Sequence, residues 1–366
     1  MMLPSVFLPL WLYAIPRFLL LLAGGVPGAE GSPSPLARAT ASADTAREQL
    51  VAVLHLRRED LPHRLRGEIF PVARIHDGLY EEVLTHGPNP LAGESPSPGP
   101  PPATPLDTHG EFTIYDRGSP IGRFTVNEVR AAIYSCSAVM VGMGQMEIPE
   151  RYVRFGRFDP RVRSLSVSGQ GVRYEYTLNY YLALASPVGQ EGFLADSAAD
   201  PEAVSRLRAA IWTDGVEALS EYGEGPWRSD ARWEEPRWSW EEGFRVVDLD
   251  RDGRFEAAGV LEAIVTEDGP PTDGGLGPNQ FVATAIVWVS DRGPGQRPEK
   301  LLALRHARDI RHWDFGYHLA EVMDLDGDGL AEPFYQVEAW EYYGFQIYAL
   351  RNGALEEVFS GAAYGC

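Results

Sequence analysis

The chain has 366 residues, enough to bury a substantial core in one large or two modest domains. Its formal net charge of −20, from 52 acidic against 32 basic residues, argues against nucleic-acid binding, which needs basic patches for the phosphate backbone. The same balance suits divalent cations or cationic partners.

Residues 1–29 read as a signal peptide. The stretch is apolar apart from Arg17 and is broken by Pro4, Pro9 and Pro16, which disfavour a uniform membrane span. Phe18 to Ala23 forms a short apolar region, and Gly24, Gly25, Gly28 and Ala29 supply the small residues of a cleavage zone. The expected location is therefore secreted, periplasmic or cell-surface, with no stable membrane span after signal removal. Residues 30–45 are rich in Ser, Pro, Ala and Thr and read as a disordered linker.

Residues 46–86 read as a small segment of helix plus β-hairpin. Thr45 and Glu48 stand in capping-box spacing ahead of a helix predicted over Ala46 to Arg58. Ile69, Val72, Ile75, Leu79 and Val83 flank Asp77-Gly78, which predicts two strands joined by a tight turn. Pro and Gly then recur over 87–109 at a density that no regular element tolerates, so this stretch is predicted to be a loop.

From 110 to 366 a β-rich domain is predicted. Phe112 and Ile114 alternate with polar neighbours, Arg117-Gly118-Ser119-Pro120 makes a turn, and Phe124 and Val126 resume the alternation. Ser137 to Val141, Tyr152 to Phe155 and Val172 to Tyr180 are further strands. One helix interrupts them: Asp200 caps it, Pro201 suits its first turn, and Val204, Leu207, Ile211 and Ala218 share a face up to about Tyr222. Phe281 to Val289 is a nearly continuous apolar run, as in a central strand, and Asn352-Gly353 joins a hairpin from Phe345 to Phe359. Two cysteines, Cys136 and Cys366, are either a disulfide tying the end of the chain to its middle or two thiols; sequence does not choose.

The most informative stretch is Val246-Val247-Asp248-Leu249-Asp250-Arg251-Asp252-Gly253-Arg254-Phe255-Glu256. It recurs 76 residues on as Val322-Met323-Asp324-Leu325-Asp326-Gly327-Asp328-Gly329-Leu330-Ala331-Glu332. Each copy sets acids at positions 1, 3, 5 and 9 with Gly at position 6. A hard cation takes several carboxylate and carbonyl oxygens at once, and Gly permits the turn that folds them round one point. A helix-loop-helix site would need Glu at position 12, where this chain has Gly259 and Tyr335. The apolar flanks instead predict a loop between strands. Asp248, Asp250, Asp252 and Glu256 form one candidate Ca²⁺ set, and Asp324, Asp326, Asp328 and Glu332 the other. A fixed offset that also aligns Glu262-Ala263 with Glu338-Ala339 indicates a repeated structural unit.

The Asp-Leu-Asp-x-Asp-Gly-x-x-Glu motif, preceded by Val and followed by a strand, resembles the FG-GAP or VCBS type of repeat of integrin-like β-propellers and secreted bacterial proteins. The likeness spans 244–268 and 320–361. It implies a mainly β fold, propeller-like or of stacked β-hairpin repeats, with one substantial helix; a β-sandwich is the alternative. Trp227, Trp233, Trp238 and Trp240 approach the first loop and offer faces for stacking on a sugar, although core packing is the commoner use of such residues. The chain contains no His-Glu-x-x-His, Gly-x-Ser-x-Gly or phosphate-loop motif, which weakens an enzymatic reading. The expected function is thus a calcium-stabilised binding or surface-structural protein with a glycan or an envelope protein as partner. The alternative is a secreted hydrolase, glycan-directed, that uses the loops only as braces.

Overall fold

Two turns with left-handed residues set the frame of the N-terminal half. Asp77-Gly78 (φ 50 and 71) joins β2, Arg64–His76, to β3, Leu79–Glu82. Arg117-Gly118 (φ 54 and 70) joins β4, Glu111–Asp116, to β5, Ser119–Tyr134. Positive φ at both central residues matches the twist of paired strands, as the sequence predicts. In the computed structural model the described residues are 48–59, 64–86, 104–107, 110–134, 137–149, 174–185, 199–224, 231–233, 235–238, 244–267, 279–309, 316–339 and 342–365. The signal peptide, the linker, most of the 87–109 loop and the strand predicted at Tyr152 to Phe155 fall outside them.

With β1 (Gln49–Glu59), β6 (Ser137–Glu147) and β7 (Tyr174–Ala185), these strands form a barrel. The order is β1-β7-β4-β5-β6-β2, β2 pairs back with β1 to close the ring, and β3 extends β2 outside it. Leu50, Leu54, Ile69, Phe112, Ile114 and Phe124 fill the interior. Gly67 is needed there, because a Cβ at this position would stand 2.5 Å from the Phe124 ring.

β1 corrects the helix expected over Ala46 to Arg58. Leu50, Ala52 and Leu54 face the barrel interior, while Val51 and Val53 face outward into a second core. A strand buried on both faces reads as a continuous apolar run, which periodicity does not separate from a buried helix. The capping-box spacing has no cap to make, since Glu48 instead pairs with Arg74 at 2.9 Å.

The one α-helix among the described residues, α1, runs Pro201–Glu224. Asp200 caps it as predicted, its Oδ1 accepting the Glu202 N–H at 3.3 Å. After two short strands, β8 (Ala231–Trp233) and β9 (Arg237–Trp238), come two four-stranded antiparallel meanders. The first is β10 (Phe244–Val247), β11 (Glu256–Glu267), β12 (Asn279–Ser290) and β13 (Glu299–Asp309). The second is β14 (Gly316–Met323), β15 (Glu332–Ala339), β16 (Tyr342–Arg351) and β17 (Ala354–Gly365).

Alternation of side chains makes these a stack. Ala285, Val287 and Val289 of β12 turn to Leu207 and Ile211 of α1, whereas Ile286 and Trp288 turn to the second meander. In β15, Tyr335 meets that first meander, and Phe334 lies in the core that the second meander shares with Val72, Val141 and Leu184 on the outside of the barrel. The layers therefore run helix, first meander, second meander, barrel. The protein is mainly β with a single described helix, as expected. Its closed element is the barrel, and the two meanders stack beside it.

Candidate metal centres

Each meander opens with one of the acidic loops. The chain leaves β10 at Asp248 and re-enters the sheet at Glu256, and it leaves β14 at Asp324 and returns at Glu332. The acid at position 9 is therefore fixed by sheet register, Glu256 opposite Val247 and Glu332 opposite Met323. Both are buried, at 3% and 1% exposure. Their Oε2 atoms accept the N–H of Leu249 at 2.8 Å and of Leu325 at 2.6 Å. Ser290 Oγ donates to the other oxygen of Glu256 at 2.8 Å.

The loop backbones repeat the same bonds. Asp248 Oδ2 accepts the Gly253 N–H at 3.1 Å, and Asp324 Oδ2 accepts the Gly329 N–H at 3.0 Å. Asp250 accepts from Asp252 N–H at 3.2 Å, and Asp326 from Asp328 N–H at 3.0 Å. Gly253 and Gly329, the predicted position-6 glycines, have φ of 84 and 94, where a side chain would be strained.

Three acids converge in each loop. Asp248, Asp250 and Glu256 offer oxygens within 4.8 Å of one another, and Asp324, Asp326 and Glu332 do the same. Asp252 and Asp328, at position 5, are not in these groups. Asp252 bonds Arg254 through both its backbone N–H, at 2.7 Å, and its Nε, at 2.8 Å, while Asp328 accepts the Leu330 N–H at 2.8 Å.

Crowding these carboxyls away from water disfavours their charge. Burial pushes Glu256 up to about 7, against the pull of the Leu249 and Ser290 donors. Glu332 is pushed up to about 10 by burial first and by Asp326 next. Asp250, Asp324 and Asp326 are also raised, burial again being the main cause. A cation at the convergence point reverses this, because it favours the ionised forms.

The donor set fits such a cation. Asp248 is 5% exposed, yet its buried Oδ1 has no hydrogen-bond partner, an arrangement that costs free energy unless a ligand meets it. All-carboxylate oxygen suits a hard ion such as Ca²⁺ better than a thiolate-seeking one.

Two features of the surroundings were not legible in the sequence. The loops touch, the Ala331 N–H donating to the Leu249 carbonyl at 2.8 Å. The β2–β3 turn of the barrel also reaches the second loop: a Cβ on Gly78 would stand 3.7 Å from Asp326 Oδ2. Beside it the buried hydroxyl of Tyr80 has no hydrogen-bond partner, and burial, then Glu332 and Asp326, drive its pKa far upward. Asp77-Gly78 announces the turn, but nothing local announces what it touches.

Trp238 is packed rather than open. Its ring centroid is 5.7 Å from Trp212 and 6.2 Å from Phe244, and the Arg208 guanidinium stands 5.0 Å over its face. Trp227, Trp240, Cys136 and Cys366 lie outside the described residues, and of Trp233 only the backbone, at the end of β8, is described. No described helix is long and apolar enough to cross a membrane. The chain matches no family model, no curated protein and no solved structure.

Proposed function

We propose that this chain is an exported β-repeat protein of FG-GAP or VCBS type, in which two hairpin loops hold Ca²⁺ as structural ions and the stacked sheets serve a binding or surface role. Asp248, Asp250 and Glu256 would hold one ion and Asp324, Asp326 and Glu332 the other, with Asp252 and Asp328 available from position 5. The observation that carries the reading is the unpartnered, buried Oδ1 of Asp248 within a group of converging carboxylates. Bound Ca²⁺ supplies positive charge that offsets the repulsion of each set. The chain's own residues do the rest: Glu256 and Glu332 anchor each set to a strand, and the glycines let the loop close.

A glycan or an envelope protein fits the proposed surface role, the acidic, rigid stack presenting its edges and loops. Calorimetric titration with calcium chloride tests the metal reading directly. Binding heat, with a melting temperature that rises in calcium and falls in chelator, supports it; a hundredfold excess over Kd is worth about 2.7 kcal/mol. No heat and a melting temperature indifferent to chelator would overturn it.

A further inference from the structure

We infer that the two acidic loops act as one coupled pair, so that a cation in the first strengthens binding in the second, and the reverse. This rests on the cation-binding function proposed above and adds to it a mechanism of communication through named backbone groups.

The link is Leu249. Its N–H donates to Glu256 Oε2 at 2.8 Å within the first loop, and its carbonyl accepts the Ala331 N–H of the second loop at 2.8 Å. One residue is thus held from one side by a carboxylate of the first set and from the other by the backbone of the second. Ala331 directly precedes Glu332, whose Oε2 in turn accepts the Leu325 N–H at 2.6 Å. A continuous path of bonded groups runs from Glu256 through Leu249 and Ala331 to Glu332 and Leu325.

Nothing along this path is free to absorb a displacement. Leu249, Ala331 and Leu325 are 0% exposed, Glu332 is 1% and Glu256 3%. Glu256 cannot simply swing, because Ser290 Oγ holds its second oxygen at 2.8 Å. Packed interiors transmit such displacements because they are dense and deform little. An ion that draws Glu256 toward itself therefore shifts Leu249, and with it the Ala331 amide bonded to the Leu249 carbonyl next to Glu332.

The two loops also differ in readiness. Asp248 spends one oxygen on Gly253 and leaves buried Oδ1 unpartnered, whereas Asp324 has backbone donors on both oxygens, Gly327 at 2.6 Å and Gly329 at 3.0 Å. The first loop is the one left incomplete without a ligand, so it leads and the second follows.

The test is calcium titration of the full chain by calorimetry in wild type, Asp250→Ala and Asp326→Ala, each checked for native circular dichroism. Coupling predicts that disabling either loop weakens the other by at least about fivefold, and by the same factor in both directions, since binding linkage is reciprocal. Unchanged or tightened affinity of the remaining loop overturns coupling while leaving cation binding intact; no heat in wild type overturns the cation function itself. A second measurement needs no folded Asp250 variant: in Asp326→Ala, calcium should slow hydrogen exchange of the Ala331 amide. Exchange indifferent to calcium, in a variant that still binds it, overturns the proposed path.

Discussion

Trp288 Nε1–H donates to Tyr335 Oη at 2.6 Å across the boundary between the two meanders, and both side chains are 0% exposed. Two large aromatic residues thus join the meanders through one directed bond set in an apolar layer with Leu249, Val322 and Leu355. Tyr348 meets Tyr335 edge-on at 5.8 Å and completes the aromatic centre of this layer.

Replacing Tyr335 by Phe keeps the ring and leaves the Trp288 indole donor buried without a partner. The expected loss is about 1–3 kcal/mol, the cost of an unmatched buried polar group. Urea denaturation monitored by Trp fluorescence checks it, with a lower midpoint and an unchanged slope as the outcome.

Glu321 sets a dependence on pH. It is 2% exposed, its Oε1 accepts the N–H of Gly118 in the β4–β5 turn at 2.8 Å and of Val322 at 2.9 Å, and its Oε2 has no partner. Burial raises its pKa from 4.5 to about 7, although the two donors and Arg245 pull it down and Asp116 adds to the rise. Because the folded value exceeds the unfolded one, the stabilisation is full below 4.5 and is lost as pH climbs through about 7. Glu321→Gln should flatten the change in denaturation midpoint between these values, measured in chelator so that the acidic loops contribute equally to both proteins.

Calcium dependence separates ligands from ordinary surface acids. Asp326→Ala should lower the melting temperature in calcium and leave it unchanged or higher in chelator, where one of several repelling carboxylates has been removed. Differential scanning fluorimetry under both conditions reads this directly. An equal loss in both would mean that Asp326 acts only through its bond to the Asp328 N–H.

The barrel is sensitive at Gly67. A methyl group there meets Phe124 at 2.5 Å and Leu54 at 3.2 Å, so Gly67→Ala should destabilise by about 1–3 kcal/mol through overpacking. Chemical denaturation checks the magnitude, and a pairing of Gly67→Ala with Phe124→Leu should recover part of the loss.

Much of the local structure was legible in the residues. Asp77-Gly78, Arg117-Gly118 and Asn352-Gly353 each form the hairpin they announce, and Asp200-Pro201 starts the helix. Both acidic loops lie between strands and bring the acids of positions 1, 3 and 9 together. What escaped was long-range pairing. Closure of the barrel depends on β1 meeting β7, with Leu54 opposite Tyr181, and on β2 meeting β6, with Ile69 opposite Gly142, and no local pattern encodes a partner so far along the chain. The same holds for Glu321, whose Gly118 partner is 203 residues away, and for Tyr80 beside the second loop. A doubly buried strand such as β1 lacks the alternation that would have distinguished it from a helix.

The layer order has one more consequence, for how such a chain can change over evolutionary time. A stack of sheets can take on another layer only through an apolar face that is not already covered. Here α1 covers the free face of one meander and the barrel covers that of the other. Among the described residues, neither meander therefore keeps a bare apolar face on which a further sheet could settle.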